Sequence, residues 1–174
     1  MSEHDLKTKW HASSDEQSLR NDFFDLFKSC PIPENELLSN LSLFTKRHNL
    51  AEILFIDQLY QRFVNVHGVI MEFGVRWGRN LALLSALRGT YEPFNHNRKI
   101  IGFDTFEGFP SLHEKDGDSD ITKLGGFSVT KNYEKYLDKI LNYHEQESPI
   151  PHIKKYELVK GDATVQIKKY LKDY

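Results

Sequence analysis

Three stretches of this chain end an apolar run in the same way. "VIMEFGVRWGRN" (69–80) carries Glu72 inside its run, "RKIIGFDTF" (98–106) closes on Asp104, and "YELVKGDA" (156–163) closes on Gly161, Asp162 and Ala163. A carboxylate in a run that reads as a buried strand is costly without a partner, so Glu72 asks for a positive or hydrogen-donating group. Gly74 and Gly78 would let the backbone turn tightly there and come close to a ligand, toward which the following helix presents its first amides.

The donor set decides between cofactors. The dinucleotide fingerprint G-x-G-x-x-G, with an acid roughly 20 residues on, fails: Arg76 stands where its middle glycine would be and Asp104 lies too far away. No phosphate-binding G-x-x-x-x-G-K-[ST] run occurs either. An acid opening the glycine loop, an acid after the second strand and G-D-A after the third suit S-adenosylmethionine. That cofactor offers an ammonium, a ribose diol and an adenine amine, all donors that carboxylates accept well. Taken singly, each acid has a plainer reading. An Asp at a strand end is commonly a turn or cap residue, Asp162 before "ATVQI" could cap a helix, and Glu72 could pair with a base. Their occurrence together, in order, favours the cofactor.

These residues need a sheet to converge on. "VIMEFGV" is apolar on both faces, as a parallel strand covered on both sides would be. Leu81, Leu84, Ala86 and Leu87 return to helical spacing, with Gly89 as the expected C-cap. A polar loop from Glu107 precedes a helix on Tyr133, Tyr136, Leu137, Ile140 and Leu141; after the third strand, Val165, Tyr170, Leu171 and Tyr174 mark another. Upstream, helices are expected around Leu19–Phe27, across Leu37–Phe44 and over about Asn49–Val66, the first stopped by Pro31 and Pro33. The order predicts an α/β fold with right-handed crossovers, all strands parallel in the order 3-2-1. Two regions are expected, a helical extension or lid over 1–66 and a Rossmann-like half-domain over 67–174.

"MEFGVRWGRN" resembles the E-x-G-V-x-x-G loop of the macrocin O-methyltransferase family, class I S-adenosylmethionine-dependent sugar methyltransferases. "GFDTFEGFP" is similar to that family's D-[ST]-F-x-G-[LF]-P signature, and "VKGDA" to its third motif. The resemblance spans about residues 45–172. It implies that Glu72 and Gly74, with Val75, Gly78 and Asn80 on the same loop and helix start, hold the methionine end. It further implies Asp104 at the ribose hydroxyls, with Gly161, Asp162 and Ala163 at the adenine. Asn80 stands where the family often has serine; Arg76 and Trp77 are reversed relative to the common pattern and receive no role. The family's next strand carries acids that hold a divalent metal, Mg2+ being the natural choice, near the acceptor hydroxyl. This sequence supplies no such strand, so it reads as cut before strand four. The catalytic residues stay unknown, the metal would bind beyond the chain, and the free edge of "VIMEFGV" is expected to make the segment marginal on its own.

Other classes fare worse. A net charge of −2 and a pI near 6.4 do not give a nucleic-acid binder its basic surface. The single cysteine, Cys30, allows no internal disulfide, and neither a signal peptide nor a membrane span is visible, so a cytoplasmic protein is expected. Asp116, Asp118 and Asp120 have the opening spacing of a calcium loop, but Ile121 replaces its glycine and Phe127 its final glutamate. The eight histidines (His4, His11, His48, His67, His96, His113, His144 and His152) never pair at metal-binding spacing. The expected activity is O-methylation of a small hydroxylated acceptor, a sugar before others, with a homo-oligomer left open. A non-catalytic cofactor-binding module, and more weakly a nicotinamide oxidoreductase, are the alternatives.

Overall fold

The structure, a computed structural model, describes residues 13–117 and 122–173. Those up to Leu54 form one compact unit and those from Phe55 onward another. No helix among the described residues is long and apolar enough to cross a membrane.

In the first unit, α1 (Ser14–Lys28) starts at a capping box in which Ser13 and Glu16 satisfy each other's backbone N–H groups. Pro31 and Pro33 separate it from α2 (Glu34–Leu37), which runs on as a 3-10 helix over Leu38–Phe44. Phe23 and Phe27 meet Phe44 with ring centroids 6.1 and 5.0 Å apart. The sequence pattern had one helix over Leu37–Phe44; the chain tightens to 3-10 geometry after its first turn. α3 (Arg47–Phe63) begins in this unit, and its residues from Phe55 onward belong to the second.

The second unit is the sheet. β1 (Ile70–Phe73), β2 (Ile100–Asp104) and β3 (Tyr156–Lys160) are parallel in the order β1-β2-β3, as the crossover rule predicts. Ile70 pairs with Ile100 and that with Tyr156; Glu72 pairs with Gly102 and that with Leu158. Alternation therefore sends Ile70, Glu72, Gly102 and Leu158 to one face, and Met71, Phe73, Phe103 and Val159 to the other.

On the first face lie α4 (Arg79–Tyr91) and α5 (Tyr133–Gln146). Leu81, Leu84, Leu137 and Leu141 form the buried core there with Ile100 and Tyr156. Gly102 makes this approach possible, because a Cβ there would come within 2.7 Å of Leu81 and Val75 side chains. On the second face Tyr170 of α6 (Ala163–Asp173) packs edge-on against Phe103, with centroids 5.6 Å apart. β1 is an edge strand among the described residues, and Phe73 is 55% exposed.

Gly89 does not end α4. The helix continues to Tyr91 and its C-cap is Glu92, whose carboxylate accepts hydrogen bonds from Tyr60 (2.6 Å), Asn95 (2.7 Å) and Arg98 (2.9 Å). A buried polar cluster overrides the intrinsic preference of glycine for a helix end.

Candidate functional site

The loops at the carboxyl ends of the strands meet at Asp104. Its Oδ2 accepts from the Arg76 backbone N–H (2.7 Å) and its Oδ1 from that of Phe106 (2.5 Å), while its carbonyl accepts from Gly161 (2.8 Å). One acid at the end of the central strand thus fixes the turns after all three strands. The turn after β2 closes on itself, because the Thr105 hydroxyl donates to the Gly108 carbonyl at 2.6 Å. Gly108, at φ +82°, lies against the Gly125–Gly126 backbone so closely that any Cβ would stand 2.3 Å from a carbonyl oxygen. Phe109 N–H to the Gly126 carbonyl (3.1 Å) and Gly125 N–H to the Phe109 carbonyl (3.0 Å) complete that join.

The turn after β1 runs Gly74–Gly78 into α4. Gly78 is the left-handed N-cap, with φ +74°, and a Cβ there would overlap the Leu137 side chain of α5 at 2.3 Å. Tyr133 of α5 donates its hydroxyl to the Trp77 carbonyl (3.0 Å) and meets the Trp77 ring edge-on at 4.8 Å. Gly78 and Tyr133 therefore set this loop against the helix layer.

Two adjoining cavities result. One, of about 320 Å3, is lined by Gly74, Arg76, Phe103, Asp104, Phe127 and Ala163 among others. The second, about 340 Å3, is lined by Glu72, Gly74, Val75, Arg76, Trp77, Arg79 and Asn80. They share Gly74 and Arg76, and their size suits a small-molecule ligand.

Glu72 is the most perturbed group in the pair. Burial pushes its carboxyl up to about 7, a hydrogen bond from Asn80 Nδ2 (3.1 Å to Oε1) works against the rise, and the neighbouring Asp104 adds to it. Its Oε2 is buried with no hydrogen-bond partner. Glu72 lines the second cavity, and an orphaned carboxylate oxygen fits an ammonium donor, which would both pair it and restore its charge. Asp104 keeps acceptor capacity, since each carboxylate oxygen can take about two hydrogen bonds and uses one.

Of the residues singled out from sequence, Glu72, Gly74, Val75, Asn80, Asp104 and Ala163 line these cavities. Gly78, Gly161 and Asp162 do not; they shape the turns. Asp162 caps α6: its Oδ1 accepts from the Thr164 hydroxyl (2.7 Å) and N–H (2.8 Å), which together hold its carboxyl below the usual range. Sequence reasoning missed Phe109 and Phe127, whose rings meet edge-on at 5.6 Å over the first cavity. Two phenylalanines beside glycines in an otherwise polar loop were the available signal. Arg76, left without a role, lines both cavities.

Among the described residues no group of three or more His, Cys, Asp and Glu side chains is placed to hold a metal. The described residues supply no site for the divalent ion that the resemblance implies. Of the calcium-like run, Asp118, Asp120 and Ile121 lie outside the described residues, as do His4 and His11. Asp116 accepts from the His113 N–H (2.6 Å) within a short 3-10 turn.

No family model and no curated protein matches the chain. Among the solved structures similar to it are two of CalS11. The crystal structure of CalS11, a calicheamicin methyltransferase, is 40% identical with a TM-score of 0.89, over 99% of this chain and 68% of that one. An apo structure of CalS11, there described as a TDP-rhamnose 3'-O-methyltransferase of calicheamicin biosynthesis, is 37% identical with a TM-score of 0.78, over 97% of this chain and 65% of that one. The chain spans about two thirds of the length of these structures.

Proposed function

The chain belongs to the sugar O-methyltransferase family that includes CalS11, and from that premise we propose that it serves S-adenosylmethionine-dependent methylation of a hydroxyl on a sugar or sugar-containing small molecule. The observation that carries the cofactor reading is the buried Glu72 carboxylate, with an orphaned oxygen, at the mouth of a glycine turn. When bound, the cofactor supplies an electrophilic methyl group on a sulfonium sulfur. Glu72 and the Gly74–Val75 backbone receive its methionine end, with Asn80 fixing the Glu72 carboxylate. Asp104 accepts from the ribose hydroxyls while continuing to hold the Arg76 and Phe106 amides. Ala163 lines the cavity on the adenine side, and Asp162 caps α6 beside it. This division of labour is mostly positioning, the contribution that holding two reactants in line makes to a displacement.

Calorimetric titration of the protein with S-adenosylhomocysteine and, separately, with NAD tests the reading. Saturable heat from the first and none from the second is expected. Heat from NAD alone would reject it.

A further inference from the structure

Three aromatic side chains form a row where the turn after β1 meets the start of α5. Trp77 and Tyr133 meet edge-on with centroids 4.8 Å apart, and Tyr133 meets Tyr136 at 5.8 Å. Trp77 is 38% exposed and Tyr136 57%, and neither is part of the buried core. Leaving large rings in water forgoes the stabilisation that burying them gives.

The row is nonetheless held in place. The Trp77 carbonyl accepts from the Tyr133 hydroxyl at 3.0 Å, and the next residue is the left-handed Gly78, packed against Leu137. The Arg76 guanidinium lies 5.9 Å from the Trp77 ring centroid. Trp77 also lines the second cavity, so the row joins that cavity to the open surface at Tyr136. Fixed, half-exposed rings beside a cavity suit a ligand that is apolar on one face and hydroxylated around its rim. A pyranose has that surface: its ring C–H bonds meet the negative face of an aromatic ring while its hydroxyls stay in water. We propose that Trp77 and Tyr136 form a platform on which the pyranose face of the acceptor stacks, with Tyr133 as the positioning residue that fixes Trp77. The inference rests on the sugar methyltransferase reading above. It adds where the acceptor lies, beside the cavity assigned to the methionine end of the cofactor, and which side chains select a ring.

Fluorescence of the full chain reads the platform, because Trp10 and Trp77 are its two tryptophans and Trp10→Phe leaves Trp77 as the reporter. That chain, with S-adenosylhomocysteine present, is titrated with methyl α-rhamnopyranoside and separately with sorbitol, which carries hydroxyls but no rigid ring face. The glycoside is expected to change Trp77 emission saturably with a midpoint on the order of millimolar, as the affinity per atom of a small ligand allows, and sorbitol is not. Tyr136→Ala should weaken the glycoside roughly 3- to 10-fold, the range of one aromatic contact, and Tyr136→Phe, which keeps the ring, less than about twofold. Tyr136 is exposed, so both variants should fold, and calorimetry should find their S-adenosylhomocysteine affinity unchanged. No saturable response to the glycoside overturns the inference, as does an equal response to sorbitol. So does a Tyr136→Ala chain that binds the glycoside as its parent does. Equal weakening of glycoside and S-adenosylhomocysteine also overturns it, making the row a support for the cofactor loop. Absence of heat from S-adenosylhomocysteine rejects the cofactor reading separately, and the glycoside titration repeated without it still decides whether the row takes a sugar.

Discussion

The two ends of the sheet treat buried charge in opposite ways. At the amino ends of the strands every buried charge among the described residues is answered. Glu145 accepts from Arg88 Nη2 (3.1 Å) and the Lys155 N–H (2.8 Å) and pairs with the Lys155 ammonium, which also donates to the Ile150 and Ile153 carbonyls at 2.7 and 2.8 Å. Arg98 binds Glu92 and the carbonyls of Phe63, Val64 and Gly68. In Glu92 burial pushes the carboxyl up, but hydrogen bonds from Arg98, Tyr60 and Asn95 more than offset it and the net shift is down. The amino end keeps one orphan among the described residues, the Ser148 hydroxyl. At the carboxyl ends, Glu72 Oε2, Arg76 Nε and Glu134 Oε2 are all buried and unpartnered. A fold that satisfies charge so completely at one end has the means to do so at the other. The open atoms lie at the same end of the sheet as the two adjoining cavities.

The largest test breaks the satisfied end. Glu145→Ala leaves Arg88 and Lys155 buried, both about 2% exposed or less, without their anion. The expected cost is about 3–5 kcal/mol, read from urea or thermal unfolding. Replacing Arg88, Glu145 and Lys155 together with apolar residues of similar volume should cost far less, because no charge is then stranded. A mild effect from Glu145→Ala alone would mean that water reaches this end, and the contrast between the ends would lose its basis.

Asp104→Ala comes next, because Asp104 belongs to both accounts. It strands the Arg76 and Phe106 amides and is expected to cost about 1.5–3 kcal/mol in cofactor affinity, the range for hydrogen bonds to a charged group, with a loss of stability beside it. Stability lost with affinity unchanged would make Asp104 a latch between loops and nothing more.

Glu72→Gln should do the reverse of an ordinary site mutation. The folded carboxyl titrates near 7 and the unfolded one near 4.5, so the folded state holds the proton between those values. Stability due to this group is full below 4.5, falls as pH rises through 7, and is lost above it. Glutamine carries no such penalty. The variant is expected to be more stable than the wild type by about 2 kcal/mol at pH 8 and equal to it near pH 4, measured by unfolding at both. Cofactor affinity of the wild type should rise from pH 6 to 7.5 as Glu72 ionises, and that rise should vanish in the variant. A flat difference across pH would show that Glu72 is solvated.

How much of this was legible depends on the range of the interaction. The three strand ends were visible because each is a local pattern: an apolar run, then glycine or acid. The order β1-β2-β3 followed from the handedness of crossovers. The buried cluster around Glu145 was not visible, because Arg88 reaches Glu145 and Lys155 across 57 and 67 positions of sequence. The extension of α4 past Gly89 failed for the same reason, since the Glu92 cluster that holds it draws on Tyr60 and Arg98. Arg76 was legible as a departure from the dinucleotide pattern, but its stacking on Phe127 joins two loops that no spacing links.

Asp162 gives the smallest and sharpest contrast. It sits at the carboxyl end, where the open atoms are, yet its Oδ1 is engaged within its own helix start. Oδ1 takes both the Thr164 hydroxyl and N–H, and it is the neighbouring Ala163, not Asp162, that lines the cavity. Losing an N-cap leaves the first helical amides without their side-chain acceptor. Asp162→Ala is therefore expected to lower stability slightly and to weaken S-adenosylhomocysteine less than Asp104→Ala does. Because its carboxyl lies below the usual range, the stabilisation it gives is present above the unfolded carboxylate pKa near 3.8 and fades as pH falls through the lower folded value. The stability difference between wild type and variant should thus hold from pH 8 to 5 and shrink only in stronger acid. A loss of affinity matching that of Asp104→Ala would instead place the Asp162 carboxylate in contact with the ligand, and the helix cap would then be a resting arrangement that binding replaces.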